Sequence, residues 1–199
     1  WNQVQLPAKS LQAQVMNTEM LQATAVFRRN SIPFVEQVLA LYAARRPLVL
    51  GSGEMQADHL PGIAIDRCID PGERTGWFSA HHPVILEDTP AQVSYTSGTE
   101  GLPKGILLTH RNLGYTTERI IEEMQMTADV REYVGVPATF SFGLARYRAI
   151  SAVGGKAYMP PRGFDPLELA RMLAAGEVNS LSAVPTLLRI LIADPSIIG

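Results

Sequence analysis

Tyr95-Thr-Ser-Gly-Thr-Glu-Gly-Leu-Pro-Lys-Gly105 is the stretch on which the reading of this sequence turns. Ala91 to Thr96 before it and Gly105 to Thr109 after it have the apolar patterning of strands. Between them, residues 96–105 hold three hydroxyls, three glycines and one lysine. Glycines let backbone N–H groups turn inward and approach an anion closely. Hydroxyls donate hydrogen bonds to phosphate oxygens, and a lysine adds a compact positive charge. The group reads as a cradle for a polyphosphate. The competing reading is a tight surface turn, but a turn needs fewer hydroxyls and no lysine set beyond a proline. A Walker-type loop is excluded by spacing: Gly98 and Gly101 stand too close, and Lys104 is followed by Gly105 and a strand.

Outward from this stretch, strands and helices alternate. Thr109 or Asn112 can cap a helix that runs through Ile120, Ile121 and Met124. Glu132 to Val136 reads as a strand, Leu144 to Val153 as a helix closed by Gly154-Gly155, and Lys156 to Met159 as a strand. Asp165-Pro-Leu-Glu168 opens a helix with an acidic cap, a first-turn proline and a glutamate at the third position; this helix ends at Gly176. A strand over Asn179–Val184 and a helix over Thr186–Ala193 follow. Upstream, Pro33 starts a helix carrying Phe34, Val35, Val38, Leu39, Leu41 and Tyr42, and Leu48 to Leu50 is a short buried strand. Gly62–Ile65 and Val84–Leu86 are further expected strands, with a polar loop between them that contains Gly72, Gly76 and His81-His82. The first thirty residues, rich in Gln and Ala, yield no element. The expected fold class is α/β: a layered, largely parallel sheet flanked by helices.

Composition narrows the function classes. A net charge of −2 gives no ground for nucleic acid or an anionic membrane surface as partner. No apolar run approaches the roughly 20 residues of a membrane span. Cys68 is the single cysteine, so neither an internal disulfide nor a cysteine-based metal site is expected, and the expected compartment is the reducing cytoplasm.

The central stretch resembles the phosphate-binding signature of the adenylate-forming superfamily: acyl-CoA synthetases, luciferases and nonribosomal peptide synthetase adenylation domains. Their pattern is Thr-Ser-Gly-Thr-Thr-Gly-x-Pro-Lys-Gly, then a strand and His-x-Asn at a helix start. Here Thr96-Ser-Gly-Thr-Glu-Gly-Leu-Pro-Lys-Gly105 leads into Ile106-Leu-Leu-Thr-His-Arg-Asn112, with Glu100 as the departure. Val136-Pro-Ala-Thr-Phe-Ser-Phe-Gly143 is similar to the family's Leu-Pro-x-x-His-x-x-Gly, with Phe140 in the histidine place. Ala183-Val-Pro-Thr-Leu-Leu188 resembles its Val-Pro-Thr helix start. Asn30 to Leu50 is a looser match, since Arg45-Arg46 stands where a glycine is usual.

The resemblance implies a place in the large N-terminal domain of an AMP-forming ligase, with residues 1–90 a shortened N-terminal portion and 91–199 the phosphate-binding portion. It implies ATP and Mg²⁺ as cofactors, a small carboxylic acid as substrate, and CoA or a carrier-protein pantetheine as thiol acceptor. Thr96, Ser97, Gly98, Thr99, Glu100, Gly101 and Lys104 would bind the nucleotide, Lys104 as electrostatic stabiliser of the reaction. Phe140 and Gly143 would line the acyl site, Phe140 leaning toward an amino or aryl acid; Gly143 is also needed for backbone reasons at a helix start. No metal-ligating protein residue is expected.

Trp1 at the start and Asp194-Pro-Ser-Ile-Ile-Gly199 at the end read as a piece of a longer protein without its C-terminal domain. The family's Tyr-Gly-x-Thr-Glu motif, its ribose-binding aspartate and its C-terminal lysine do not occur in the 199 residues, so adenylation by them alone is not expected. A non-catalytic binding module that keeps the loop is the alternative. His110 at its helix start is either a substrate contact or a structural residue. Adjacent His81 and His82 point apart on an extended chain and make a poor metal pair. Glu122-Glu123 reads as a solvated helix face. Arg146 and Arg148 read as surface or salt-bridging residues, or as partners of an acidic substrate.

Overall fold

A computed structural model describes residues 20–51, 62–96 and 104–193. Within these are nine strands and five helices: β1 (Leu21–Phe27), α1 (Ile32–Ala43), β2 (Leu48–Gly51), β3 (Ile63–Ile69), β4 (Gly76–Ser79), β5 (Pro90–Thr96), β6 (Lys104–Thr109), α2 (His110–Glu123), β7 (Arg131–Val134), α3 (Ser141–Val153), β8 (Lys156–Met159), α4 (Pro166–Ala174), β9 (Ser180–Ser182) and α5 (Pro185–Ala193).

They form two sheets, ordered β3-β1-β2-β5-β6 and β4-β8-β7-β9. Pairing is parallel except at one edge of each, where β5 meets β6 and β4 meets β8 antiparallel. The layered α/β architecture follows from which faces are apolar. In β2, Leu48 and Leu50 point to one side and Val49 to the other, and all three are buried. A strand covered on both faces needs such a continuous apolar run. Leu48 and Leu50 join a core built from α1, α2 and α3 together with Phe78, Val134, Ala157 and Met159 of the second sheet, so these helices fill the space between the sheets. The far face of the second sheet, Tyr133 and its neighbours, packs on Leu169 and Met172 of α4 and Leu191 of α5.

Caps explain where the helices begin. Ser31 accepts the Phe34 N–H at the start of α1. Asp165 accepts the N–H groups of Leu167 and Glu168 at 2.9 and 3.1 Å. Glu168 does not return to that cap; its carboxylate accepts the hydroxyls of Tyr158 at 2.7 Å and Tyr133 at 3.1 Å. At the end of α3, Gly154 takes the left-handed conformation (φ 73°) that closes the helix.

Three expectations are corrected. β1, in the Gln- and Ala-rich stretch that yielded no element, pairs between β3 and β2 within the first sheet. Gly76–Ser79, expected as loop, is the edge strand β4, with Phe78 turned into the core. Val84–Leu86, expected as a strand, is extended chain lying on α2. Its contact is so close that a Cβ on Gly114 would run into the Ile85 carbonyl, so its apolar residues serve helix packing rather than a sheet.

Candidate functional site

β5 and β6 form an antiparallel pair that ends with Tyr95 opposite Gly105 and Thr96 opposite Lys104. The backbone at Lys104 thus faces that at Thr96. Of the expected phosphate-binding set, Thr96 and Lys104 take facing positions at the mouth of this hairpin. Ser97, Gly98, Thr99, Glu100 and Gly101 lie outside the described residues. The signature sits between two strands, where a Walker loop would open into a helix.

The hairpin is braced from both sides. β5 lies against β2 in parallel register, Leu48 to Gln92 and Leu50 to Ser94. On β5 the buried Gln92 amide donates to Ser94 Oγ at 2.6 Å, and its carbonyl oxygen accepts the hydroxyl of Tyr42 from α1. Burial pushes the Tyr42 phenol up to about 12, so it stays a donor at neutral pH. β6 passes straight into α2 through a reciprocal cap. Thr109 accepts the Asn112 N–H at 3.2 Å, and Asn112 accepts the Thr109 N–H at 2.9 Å.

His110 is the first residue of α2 and only 2% exposed. Its ring meets Tyr42 edge-on at 6.1 Å, and burial lowers its pKa, with Glu87 opposing and Arg45 adding to the shift. The structure places it within the helical layer. His82 and His110 both line a small cavity among α1, α2 and α3.

Val136 to Gly143 turns from the end of β7 into α3. Ala138 N–H donates to Asn30 Oδ1 at 2.9 Å, tying the turn to the segment before α1. A Cβ on Gly143 would run into the Pro137 carbonyl, which is the backbone demand expected there. Phe140 is the N-cap of α3, with its ring 62% exposed. Phe142, two residues on, faces a groove of about 450 Å³ with Ile120 of α2, Met124 at the C-cap of that helix, Leu181 of β9, and Arg119 and Arg146. Sequence reading did not single out Phe142 or Met124 for this role. The spacing of Ile120 and Met124, four apart on an amphipathic helix, was the available signal.

Of the two roles expected for Arg146, surface or salt-bridging, the structure has the second, and in the core: it is 2% exposed and fully engaged. Its guanidinium binds both oxygens of the fully buried Glu132, at 2.9 and 2.5 Å. Ser182 donates to the same carboxylate. Among the described residues Arg148 has no such pair. Glu122 and Glu123 are exposed and pair with Arg119 on α2.

Comparison with known proteins agrees with this arrangement. The model of the "AMP-binding enzyme" family matches residues 6–198. Feruloyl-CoA synthase of an Amycolatopsis species is 29% identical over 113 residues, 57% of this chain and 23% of its own length. Sulfoacetate–CoA ligase of Cupriavidus necator is 32% identical over 113 residues, 57% of this chain and 22% of its own. The fold matches o-succinylbenzoate CoA synthetase (MenE) from Bacillus subtilis, solved in complex with its acyl-adenylate intermediate, with a TM-score of 0.65 at 18% identity over 92% of this chain and 54% of that one. The chain thus spans about a quarter of those two curated relatives and about half of that solved structure. With the signature hairpin in place and the family model matched over nearly its whole length, the chain belongs to the AMP-binding enzyme family.

Proposed function

We propose that this chain supplies the phosphate-holding portion of a ligase that activates a carboxylic acid with ATP and passes it to a thiol, CoA or a carrier-protein pantetheine. The observation that carries this reading is the β5–β6 hairpin, which brings Thr96 and Lys104 to facing positions at the two ends of the signature. Residues 91–199 carry the phosphate site in this reading, and residues 1–90 support it.

In the first step a substrate carboxylate oxygen attacks the α-phosphorus, forming the acyl-adenylate while the bond to pyrophosphate breaks. The leaving group carries the developing negative charge. Thr96, Ser97, Gly98, Thr99, Glu100 and Gly101 hold it through hydroxyls and backbone N–H groups, and Lys104 stabilises its charge without exchanging a proton. In the second step the thiol sulfur attacks the acyl carbon and AMP departs. Mg²⁺ bound to the ATP phosphates would neutralise part of their charge, and this reading assigns it no residue of the chain. The acid sits toward Phe140 and Gly143, and the groove beside Phe142 and Met124 suits an acid with an apolar or aryl body.

The direct test is equilibrium binding of Mg·ATP to the chain and to Lys104→Ala. Binding reduced at least tenfold by the substitution is expected. Equal affinity in the two proteins overturns the assignment of the phosphate site. A pyrophosphate-exchange assay on a protein that contains this chain, run with a carboxylate panel, then identifies the acid.

A further inference from the structure

A second site lies between the three inner helices. A cavity of about 40 Å³ opens among α1, α2 and α3, bounded on one side by the extended chain His82–Ile85. Its volume suits one or two water molecules or a single small ion. The walls are mostly apolar, with Leu39, Leu113 and Ala152 among them. Two polar groups in this lining are incompletely answered: one lacks a counter-charge and the other a hydrogen-bond partner.

The first is Arg148. Its Nε lies 3.4 Å from Thr117 Oγ1, and its guanidinium stands beside the Tyr42 phenol. Both neighbours are neutral, and both hydroxyl protons are already committed, Thr117 to the Leu113 carbonyl and Tyr42 to Gln92. Among the described residues no carboxylate comes within 4.0 Å of Arg148, whereas Arg146 on the same helix has Glu132. The nearby charges Arg45 and Glu87 are paired with each other at 2.9 Å. The second is His110, nearly fully buried, whose Nε2 has no hydrogen-bond partner. Burial favours its neutral form, which leaves one ring N–H free to donate.

A part-buried cation with no carboxylate within 4.0 Å among the described residues and a buried, unpartnered ring nitrogen are thus set on one small, largely apolar cavity. Water can satisfy the imidazole nitrogen but leaves the charge of Arg148 uncompensated. A phosphate or sulfate brings two charges against one and exceeds the volume. A monovalent, weakly hydrated anion meets the size, the charge and the apolar walls together. We propose that this cavity is a binding site for one small monovalent anion of the halide class, held by the Arg148 guanidinium and the His110 ring N–H. This site makes no use of the nucleotide loop.

The test is thermal unfolding of the whole chain in sodium bromide against sodium gluconate at matched ionic strength. The chain is expected to gain stability with bromide along a saturating curve, as a ligand specific to the folded state requires. Arg148→Met is expected to abolish the bromide-specific gain, and His110→Gln to weaken it severalfold. If Arg148→Met does not fold, His110→Gln and the anomalous scattering of crystals grown in bromide decide. A bromide peak in the cavity within hydrogen-bonding reach of Arg148 is expected. Three results each overturn the proposal: superimposable bromide dependence in wild type and both variants, bromide peaks only on the exterior, or a cavity filled by water alone in bromide-grown crystals.

Discussion

Arg146 and Arg148 stand two residues apart on α3 and meet opposite surroundings. A helix turns about 100° per residue, so the two side chains leave on nearly opposite faces. Arg146 points to the second sheet, where Glu132 of β7 and Ser182 of β9 close around it. Arg148 points into the helical layer, where it finds a phenol, a hydroxyl and a cavity. One face of α3 is a finished junction between helix and sheet. The other is an unfinished polar site beside β5, the first strand of the signature hairpin. Burial of charge alone therefore does not mark a functional residue; the informative feature is whether the charge has been answered locally.

The strongest way to break this contrast is to remove one half of the answered pair. Arg146→Met strands the Glu132 carboxylate in the core, and a loss of about 3–5 kcal/mol of stability is expected by analogy with other broken buried pairs. Glu132→Leu together with Arg146→Met should recover much of that loss, because neither charge then needs a partner. Urea unfolding of the two single variants and the double variant gives the numbers. A single-variant loss below about 1 kcal/mol, the scale of exposed pairs, would mean that water reaches the junction.

The next effect belongs to the other face. Tyr42→Phe removes the hydroxyl that satisfies Gln92 on β5, leaving a buried acceptor without its donor. A cost of about 1–3 kcal/mol is expected. Because Gln92 also holds Ser94, two residues before Thr96, faster amide exchange along β5 should accompany it. Loss of stability with β5 protection unchanged would confine Tyr42 to packing and cut its link to the hairpin.

The two faces were unequally legible in the sequence, for physical reasons. The signature hairpin, the caps at Thr109 and Asp165 and the α/β alternation are local matters of residue type and spacing, so they could be read directly. β1 could not. Its Leu-Gln-Ala-Thr-Ala-Val-Phe mixes the strand formers Thr24, Val26 and Phe27 with Gln22 and two alanines, and is held by pairing to β2 and β3 on either side. Val84–Leu86 failed in the opposite sense, since a short apolar run looks the same whether it packs on a sheet or on a helix. For Arg146 the sequence allowed a surface or a salt-bridging residue; that the bridge is buried could not be read, because Glu132 lies 14 positions upstream on another element, a separation no helical periodicity encodes. The cavity at Arg148 was hidden for the same reason: Tyr42, His110 and Arg148 meet only after three helices have packed.

A smaller effect separates the faces by pH. His110 is buried with its pKa lowered, and the partly buried His82 shifts the same way, chiefly through burial. Each binds its proton more readily in the unfolded chain. Their contribution to stability is therefore complete above the ordinary histidine value of about 6.5 and is lost as pH falls from there through the lowered folded values. Stability should decline on acidification from pH 7 toward 5, and His110→Gln should flatten that decline when both proteins are compared in halide-free buffer. An unchanged slope in the variant would show that His110 does not sense the buried environment assigned to it.

A third arginine completes the series from the solvent side, with the smallest expected effect. Arg45 follows α1 at φ 52°, the left-handed region that disfavours side chains. It stands where the family resemblance leads one to expect glycine. Its guanidinium is exposed and pairs with Glu87 at 2.9 Å, a contact that solvent screens. Arg45→Gly relieves the backbone and gives up the screened pair, so two weak terms oppose each other. The midpoint of thermal unfolding should stay unchanged or rise slightly. A fall of several degrees would instead show that the Arg45–Glu87 pair holds the extended chain over α2, and with it the wall of the cavity. The open face of α3 would then depend on a surface ion pair, and the contrast with Arg146 would rest on two arginines rather than one.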